Sequence, residues 1–523
     1  MNQKIFFKFW LGLILGLAVF TRFYNLSDSL QFQGDQGRDA IIVSQIFTKL
    51  DPVFIGPVTS VGNMYLGPFY YYFMLPFLAL SYPSPIGPAY AVGLLSILTS
   101  YLIYKWGKDL AGELAGLFAA SLYTLSATAA LYARFSWNPN PAPLVSLIVV
   151  YYTWKAITQS AKNWWVVGLG VSIMLQLHYV TLLAAGAAGV IWLWQVLTQL
   201  IESRKKRESA KVWFKKTLPL WQGTSLAVGI FIASLTPLIL FDWKHDWLNS
   251  KALQALVFKD KTFESQIAVG TTAKVFEILK ETDGRSMHIL AEINLGKNRE
   301  LNRIVVVLTL LGLVLAIFQA KNYSKKTGLI ILGVFLGVGI LGTATYQHTV
   351  FDHYIAYLFP ISALVSGVAL SQLANLRVFK VRFGLILTLI CLGWFLKYNL
   401  PILPIKSTGW TITQIQQTSQ TILDRVKPGE KYNIVLISES RDLDGQNYRY
   451  FLTTNPQKSP VKIEDRDSVE TLFVINEEKK VKDVTGLPMY EIVVFPNKKP
   501  TEIYQIPNGP EITVLRRYSQ TQN

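Results

Sequence analysis

Long apolar blocks recur along most of this chain, and the segments that separate them are short and basic. A membrane span needs about twenty mostly apolar residues, because an unpaired backbone group in hydrocarbon costs several kcal/mol and only a helix pairs them all internally. So many such blocks cannot be hidden in one soluble core, and the chain is expected to be an α-helical polytopic membrane protein. Its composition agrees, with 51% hydrophobic and only 16% charged residues, against roughly a quarter charged in soluble domains. The net charge of +17 does not point to nucleic acid, since the Lys and Arg residues fall in loops, with no basic stripe interleaved with stacking aromatics. The only cysteine, Cys391, lies inside an apolar block, so no intramolecular disulfide can form.

Basic residues mark the cytoplasmic side of a span. Lys4 and Lys8 place the N-terminus inside, and block 5–20 has no small-residue cleavage site after it, so it reads as a retained anchor. The cluster Arg204-Lys205-Lys206-Arg207, with Lys211, Lys215 and Lys216, is the strongest inside signal. Between and beyond these anchors, spans at 89–104, 114–132, 144–157, 164–177, 181–197, 218–241, 304–318, 329–341, 354–370 and 384–396 alternate consistently. The total is about eleven, each near the length a bilayer demands. Parity fails if the apolar block 65–82 also crosses; its prolines Pro68 and Pro76, with Pro83, Pro85 and Pro88 after it, make it a broken, re-entrant or interfacial segment. Residues 22–87 then form one long extracytoplasmic loop and residues 242–300 a second.

From residue 400 the pattern turns polar, with short alternating runs at 432–437, 471–475, 491–495 and 511–515 that read as strands. An amphipathic helix is expected over 411–426, before them. The chain therefore divides into a membrane domain, 1–399, and a small α/β domain, 400–523, which parity places outside the cell membrane.

The densest polar signal lies in the first loop, Phe32-Gln33-Gly34-Asp35-Gln36-Gly37-Arg38-Asp39-Ala40, followed by apolar residues at helical spacing. An amphipathic interfacial helix is expected to start there, with Asp39 one turn beyond Asp35. Two readings of Asp35 stand at this point. It is an N-cap accepting backbone N–H bonds, or it is a carboxylate shielded by apolar walls and tuned by a like-charged neighbour for general-base work. A second knot, Tyr132-Ala133-Arg134-Phe135-Ser136-Trp137-Asn138-Pro139-Asn140-Pro141, follows the third span. Arg134 there either holds a phosphate or snorkels to the interface. His178-Tyr179, the run Asp242 to Asp246, and Tyr346 with His348, Asp352 and His353 are further polar groups at span ends, and none has the spacing of a metal site. The aromatic run Phe69-Tyr70-Tyr71-Tyr72-Phe73 is an interface belt or the lining of a lipid groove.

Together these features resemble the C-type glycosyltransferase superfamily, in its bacterial protein O-mannosyltransferase and lipid A aminoarabinose-transferase branch. The resemblance covers about the first 400 residues. It rests on Gly34-Asp35-Gln36-Gly37-Arg38-Asp39, then Leu66-Gly67-Pro68-Phe69-Tyr70-Tyr71-Tyr72, the basic turn Tyr104-Lys105-Trp106-Gly107-Lys108, and Tyr132-Ala133-Arg134, in that order. It implies a polyprenyl-phosphate sugar donor held in the membrane lipid, an acceptor hydroxyl on a protein, lipid or glycan, and Asp35 as catalytic base. Arg38, Arg134 or Lys244 would offset the charge of the leaving phosphate, and Asp39, Tyr71, Asn138, Asn140, His178 and His348 would complete the substrate site. Relatives carry Asp-Glu where this chain has Asp35-Gln36, and a carboxylate after the outer Arg where it has Asn138 and Asn140. No metal ligand set carries over, and a divalent cation is the one cofactor candidate. A transporter or flippase of lipid-linked sugars shares the basic and aromatic outer face, but ionisable residues are sparse within the spans, where a transport path needs them.

Overall fold

The computed structural model describes residues 3–59, 64–258, 271–346, 349–377, 383–407, 411–440, 442–478 and 480–517. Among them, eight helices are long and apolar enough to cross a membrane: Gln3–Phe23, Ile86–Ala111, Tyr179–Lys205, Ala210–Lys244, Arg299–Gln319, Tyr323–Ala344, Asp352–Ala374 and Phe383–Ile402. The other three expected spans coincide with shorter apolar helices, Glu113–Leu125, Ala142–Thr158 and Trp164–Leu177. Short polar side chains start several of these helices. Ser209, Asn298 and Asn322 each accept a backbone N–H from the first turn, at Val212, Leu301 and Lys325.

The expected span over 114–132 is broken. Ser126 is extended, and its hydroxyl caps a second short helix, Ala127–Tyr132, by accepting the Ala129 N–H. Such a break frees carbonyls that lipid cannot satisfy. Arg22, fully buried at the end of the first helix, donates to the carbonyls of Tyr123 and Thr124 and to the Ser96 hydroxyl. Asn399 accepts the Ala127 N–H at 2.8 Å from the other side.

In the first loop, residues 69–81 form a 13-residue helix, Phe69–Ser81, with Pro76 inside it. It buries Tyr70, Tyr71, Met74 and Leu78, and the loop's other helix, Gly34–Thr48, packs beside it.

The C-terminal domain is a four-stranded mixed sheet of order β1-β2-β4-β3, with β1 Tyr432–Ile437, β2 Thr471–Asn476, β3 Pro500–Gln505 and β4 Glu511–Arg516. β1 and β2 are parallel, and β4 runs antiparallel to both β2 and β3. Both faces of β1 and β2 are covered. Ile434, Leu436, Phe473 and Ile475 join a core that includes helices Ile412–Leu423 and Gln446–Thr453, and Val435, Ile437, Leu472 and Val474 join a smaller one under Val484, Ile492 and Phe495. The expected strand over 491–495 is instead the short helix Tyr490–Val494. It buries the consecutive residues Glu491 and Ile492, which a strand would send to opposite faces, and Arg466 pairs with Glu491 at 3.1 Å. Conversely β3, whose faces are largely exposed, has too little apolar alternation to be read from sequence.

The positive-inside reading makes a testable statement about this architecture. In a Cys391→Ser background, Lys206→Cys and Gln457→Cys should react with a membrane-impermeant maleimide from opposite sides of sealed vesicles. Labelling of both from one side would overturn the assignment.

Candidate active site

The acidic motif opens the helix Gly34–Thr48, and its cap is Gln33, not Asp35. The Gln33 side chain accepts the Gln36 N–H, while the Gln33 N–H donates to Gln36 Oε1 at 2.9 Å, a reciprocal capping box. The capping reading of Asp35 is therefore overturned: the cap must be the extended residue before the first turn, and Asp35 is already the second helical residue. Its carboxylate is left for other work. The side chain is half exposed, and Oδ1 accepts Arg38 Nη1 at 2.9 Å.

Asp39, one turn deeper, has the opposite environment. It is fully buried, and its Oδ1 accepts Arg38 Nε at 3.0 Å, Arg38 Nη2 at 2.8 Å and the Tyr71 hydroxyl at 3.1 Å. Asp39 Oδ2 is buried without a hydrogen-bond partner among the described residues. Burial pushes this carboxyl up to about 6 although Arg38 pulls the other way. For Arg38, burial opposes the charge, but Asp39 and Asp35 outweigh it and hold the guanidinium above its ordinary range.

Asp35 and Arg38 line a cavity of about 630 Å³. Tyr132, Phe135 and Trp137, from the turn after the broken helix, give it aromatic walls. Ser440, Asp442, Asp444 and Gln446, from the C-terminal domain, close it. The sequence reading left these four residues out of the site. The signal that could have found them is the pair Gly34 and Gly37, three apart at a helix start, which lets another backbone come close.

The other expected site residues serve the scaffold around this cavity. Arg134 is buried and does not line the cavity. Its Nη1 donates to the Thr21 carbonyl and its Nη2 to the Tyr24 carbonyl, both at 2.8 Å, and Nη2 also donates to Ser29. It neither faces a phosphate nor snorkels, because the carbonyls at the end of the first helix already claim its fork. Asn138 donates to the Leu177 carbonyl and Asn140 to that of Phe135, so both fix turns. His178 Nδ1 accepts the Val180 N–H, and its ring lies 4.8 Å from that of Tyr354 and 6.1 Å from His353, which in turn sits 4.4 Å from the Trp137 ring. Lys244 is exposed at the end of Ala210–Lys244 and is not part of the cavity lining. In the same run, Asp242 accepts N–H bonds from Asn249 and Ser250 and starts the next helix. His348 lies outside the described residues. His288 Nε2 lies 2.7 Å from Asp352 Oδ1, outside the cavity lining.

The structure establishes no divalent-cation site. Asp35 and Asp39 already share one guanidinium, and among the described residues no group of three or more His, Cys, Asp or Glu is placed to hold a metal ion.

Apolar helices, a polar cavity beside the acidic helix and an α/β domain that contributes to its lining define a multi-pass membrane protein with a polar cleft. No protein-family model matches the sequence, and no curated protein matches it. Solved structures do. ArnT from Cupriavidus metallidurans bound to undecaprenyl phosphate superposes with a TM-score of 0.55 at 12% identity, covering 97% of this chain and 98% of that one. ArnT in the apo state gives 0.53 over the same shares. The Archaeoglobus fulgidus oligosaccharyltransferase in complex with zinc and sulfate gives 0.53 at 11% identity, covering 89% of this chain and 68% of that one. The chain shares its fold with ArnT and with this oligosaccharyltransferase.

Two outcomes follow from the site's geometry. Arg134→Ala should lower the melting temperature in detergent, since it orphans buried carbonyls at about 1–3 kcal/mol each; an unchanged melt would return Arg134 to the surface. Asp39 allows a pH test. Its folded value of about 6 lies above the ordinary 3.8, so folding favours the protonated form, and ionisation costs stability as pH rises between these values. Asp39→Asn should therefore gain stability relative to wild type from pH 4 to pH 7. A constant difference across that window would contradict the burial argument.

Proposed function

We propose that the chain is a membrane glycosyltransferase that moves one sugar from a polyprenyl-phosphate-linked donor to an acceptor hydroxyl at the extracytoplasmic face, with Asp35 as the base. The observation that carries this reading is the position of Asp35. It lines the cavity, is relieved of capping by Gln33 and Gln36, and is held by one side-chain contact, to Arg38. The shared fold of a protein solved with undecaprenyl phosphate supports the donor class.

In the proposed step the acceptor oxygen attacks the anomeric carbon, its proton passes to Asp35, and the bond from that carbon to the phosphate oxygen breaks. The polyprenyl phosphate leaves as an anion, and in-line attack inverts the anomeric centre. A phosphate is a stabilised leaving group and needs a cation more than a strong acid. Arginine has five N–H donors; Asp35 and Asp39 take three from Arg38, which leaves two for a phosphate oxygen. Asp39 and Tyr71 are positioning residues that fix the guanidinium from behind.

Asp35→Asn separates this role from a structural one. The cap does not involve Asp35, so the variant should melt like wild type, while transfer from polyprenyl-phosphate sugars should fall about a hundred- to ten-thousand-fold. Near-normal turnover would sink the base assignment.

A further inference from the structure

Residues 132–141 carry the chain out of the broken helix, and all of them are buried except Tyr132 and Trp137. Both of these keep part of their surface, and both line the cavity that holds Asp35 and Arg38. The backbone under Trp137 is locked. Its carbonyl accepts the Asn140 N–H at 3.0 Å, Asn140 Nδ2 donates to the Phe135 carbonyl at 2.8 Å, and Asn138 ties the turn to the Leu177 carbonyl. The indole is braced as well. The His353 ring centroid lies 4.4 Å from it and that of Phe135 6.2 Å, while Tyr354 packs edge-on against His353 at 4.5 Å.

A large apolar ring fixed in the wall of a polar cavity calls for a ligand that covers it, since such surface is otherwise buried. The same cavity is lined by neutral hydrogen-bonding side chains, among them Gln31, Ser440 and Gln446, and a glutamine amide both donates and accepts. Their placement is firm too. The turn bearing Ser440 and Gln446 seats so closely on the acidic helix that a Cβ on Gly37 would overlap the backbone of Gln446 and Asn447. A sugar ring has the two matching halves: a patch of C–H groups on one face, and hydroxyls around its edge that donate and accept. Flat aromatic surface suits the first, and amide and hydroxyl side chains suit the second. A lipid chain would use the indole and leave the amides unpaired, and a bare phosphate would leave the indole uncovered. An indole of an interface belt would face headgroups instead of a cavity.

We propose that Trp137 is the sugar platform of the cleft: the ring of a donor or acceptor sugar lies with its C–H face on the indole and turns its hydroxyls towards Gln31, Ser440 and Gln446. What the bound sugar is for rests on the transfer reading, but its binding is tested separately. In the full-length chain labelled with 5-fluorotryptophan, the Trp137 resonance is the one missing from Trp137→Phe. Titration with the methyl glycosides of glucose, galactose, mannose and xylose should shift that resonance with at least one of them. By saturation-transfer NMR the same glycoside should bind Trp137→Phe nearly as well as wild type, and Trp137→Ala at least about ten-fold more weakly. A resonance that none of the four moves, or equal affinity in wild type and Trp137→Ala, overturns the proposal. The wild-type resonance decides the matter even if the alanine variant melts early. In steady-state transfer, Trp137→Ala should raise the KM for the polyprenyl-phosphate sugar if the platform holds the donor, and for the acceptor if it holds the acceptor. Sugar binding at Trp137 in a protein that transfers from no polyprenyl-phosphate donor would keep the platform and sink the transfer reading. Transfer with both KM values unchanged in Trp137→Ala would do the reverse.

Discussion

Two buried guanidiniums answer carbonyls that helix ends leave free, Arg22 at the break in the third span and Arg134 at the end of the first helix, and the cleft is assembled around them. A carbonyl freed in hydrocarbon has no water to accept from, yet the break at Ser126 is needed to turn the chain into the aromatic knot of residues 132–137. Arg22 bonds the carbonyls at the break, and Arg134, just beyond it, bonds Thr21, Tyr24 and Ser29. The first helix and the broken helix are thereby tied at the same level, and the strand of loop leading to Asp35 starts from that tie. Neither arginine has a carboxylate among these bonds; carbonyl dipoles and hydroxyls provide the compensation that a buried charge requires.

The next consequence concerns the two aspartates. Asp35 and Asp39 sit four residues apart on one helix and share one guanidinium, but their environments divide the labour. Asp39 is sealed behind Arg38 and Tyr71 and cannot meet an acceptor; Asp35 stands in the cavity wall. Two like carboxylates set apart by burial is a recurrent way to assign distinct roles within one site. Gln36 contributes by bonding backwards to Gln33, which keeps Asp35 out of the cap.

Hydropathy made the apolar helices legible, because the length of an apolar block is a local property of the chain. The grouping of Asp35, Arg38 and Asp39 was legible because all three lie within one helical turn and a half; the Tyr71 bond to Asp39 joins residues far apart in the chain and was not. Arg134, Asn138 and Asn140 were misread because a polar residue beside a span looks the same whether it meets a ligand or a distant carbonyl. The choice between the two readings of Asp35 stayed open for a local reason: Gln33 is outside the favoured N-cap types, so although Gln36 suits the third position of a capping box, only their reciprocal geometry shows the box. The wall from the C-terminal domain was beyond reach, because it brings residues some four hundred positions apart into contact and the only trace is a glycine pair.

That contact also fixes how firmly the cleft wall is held. At Gly37 the approach is to backbone rather than to a movable side chain, and Phe32 is wedged between Tyr450 and Phe451. The face of the sheet carrying Ile434 and Phe473 belongs to the same continuous core as the membrane helices. Relocating the turn would require opening that core, not swinging a loop.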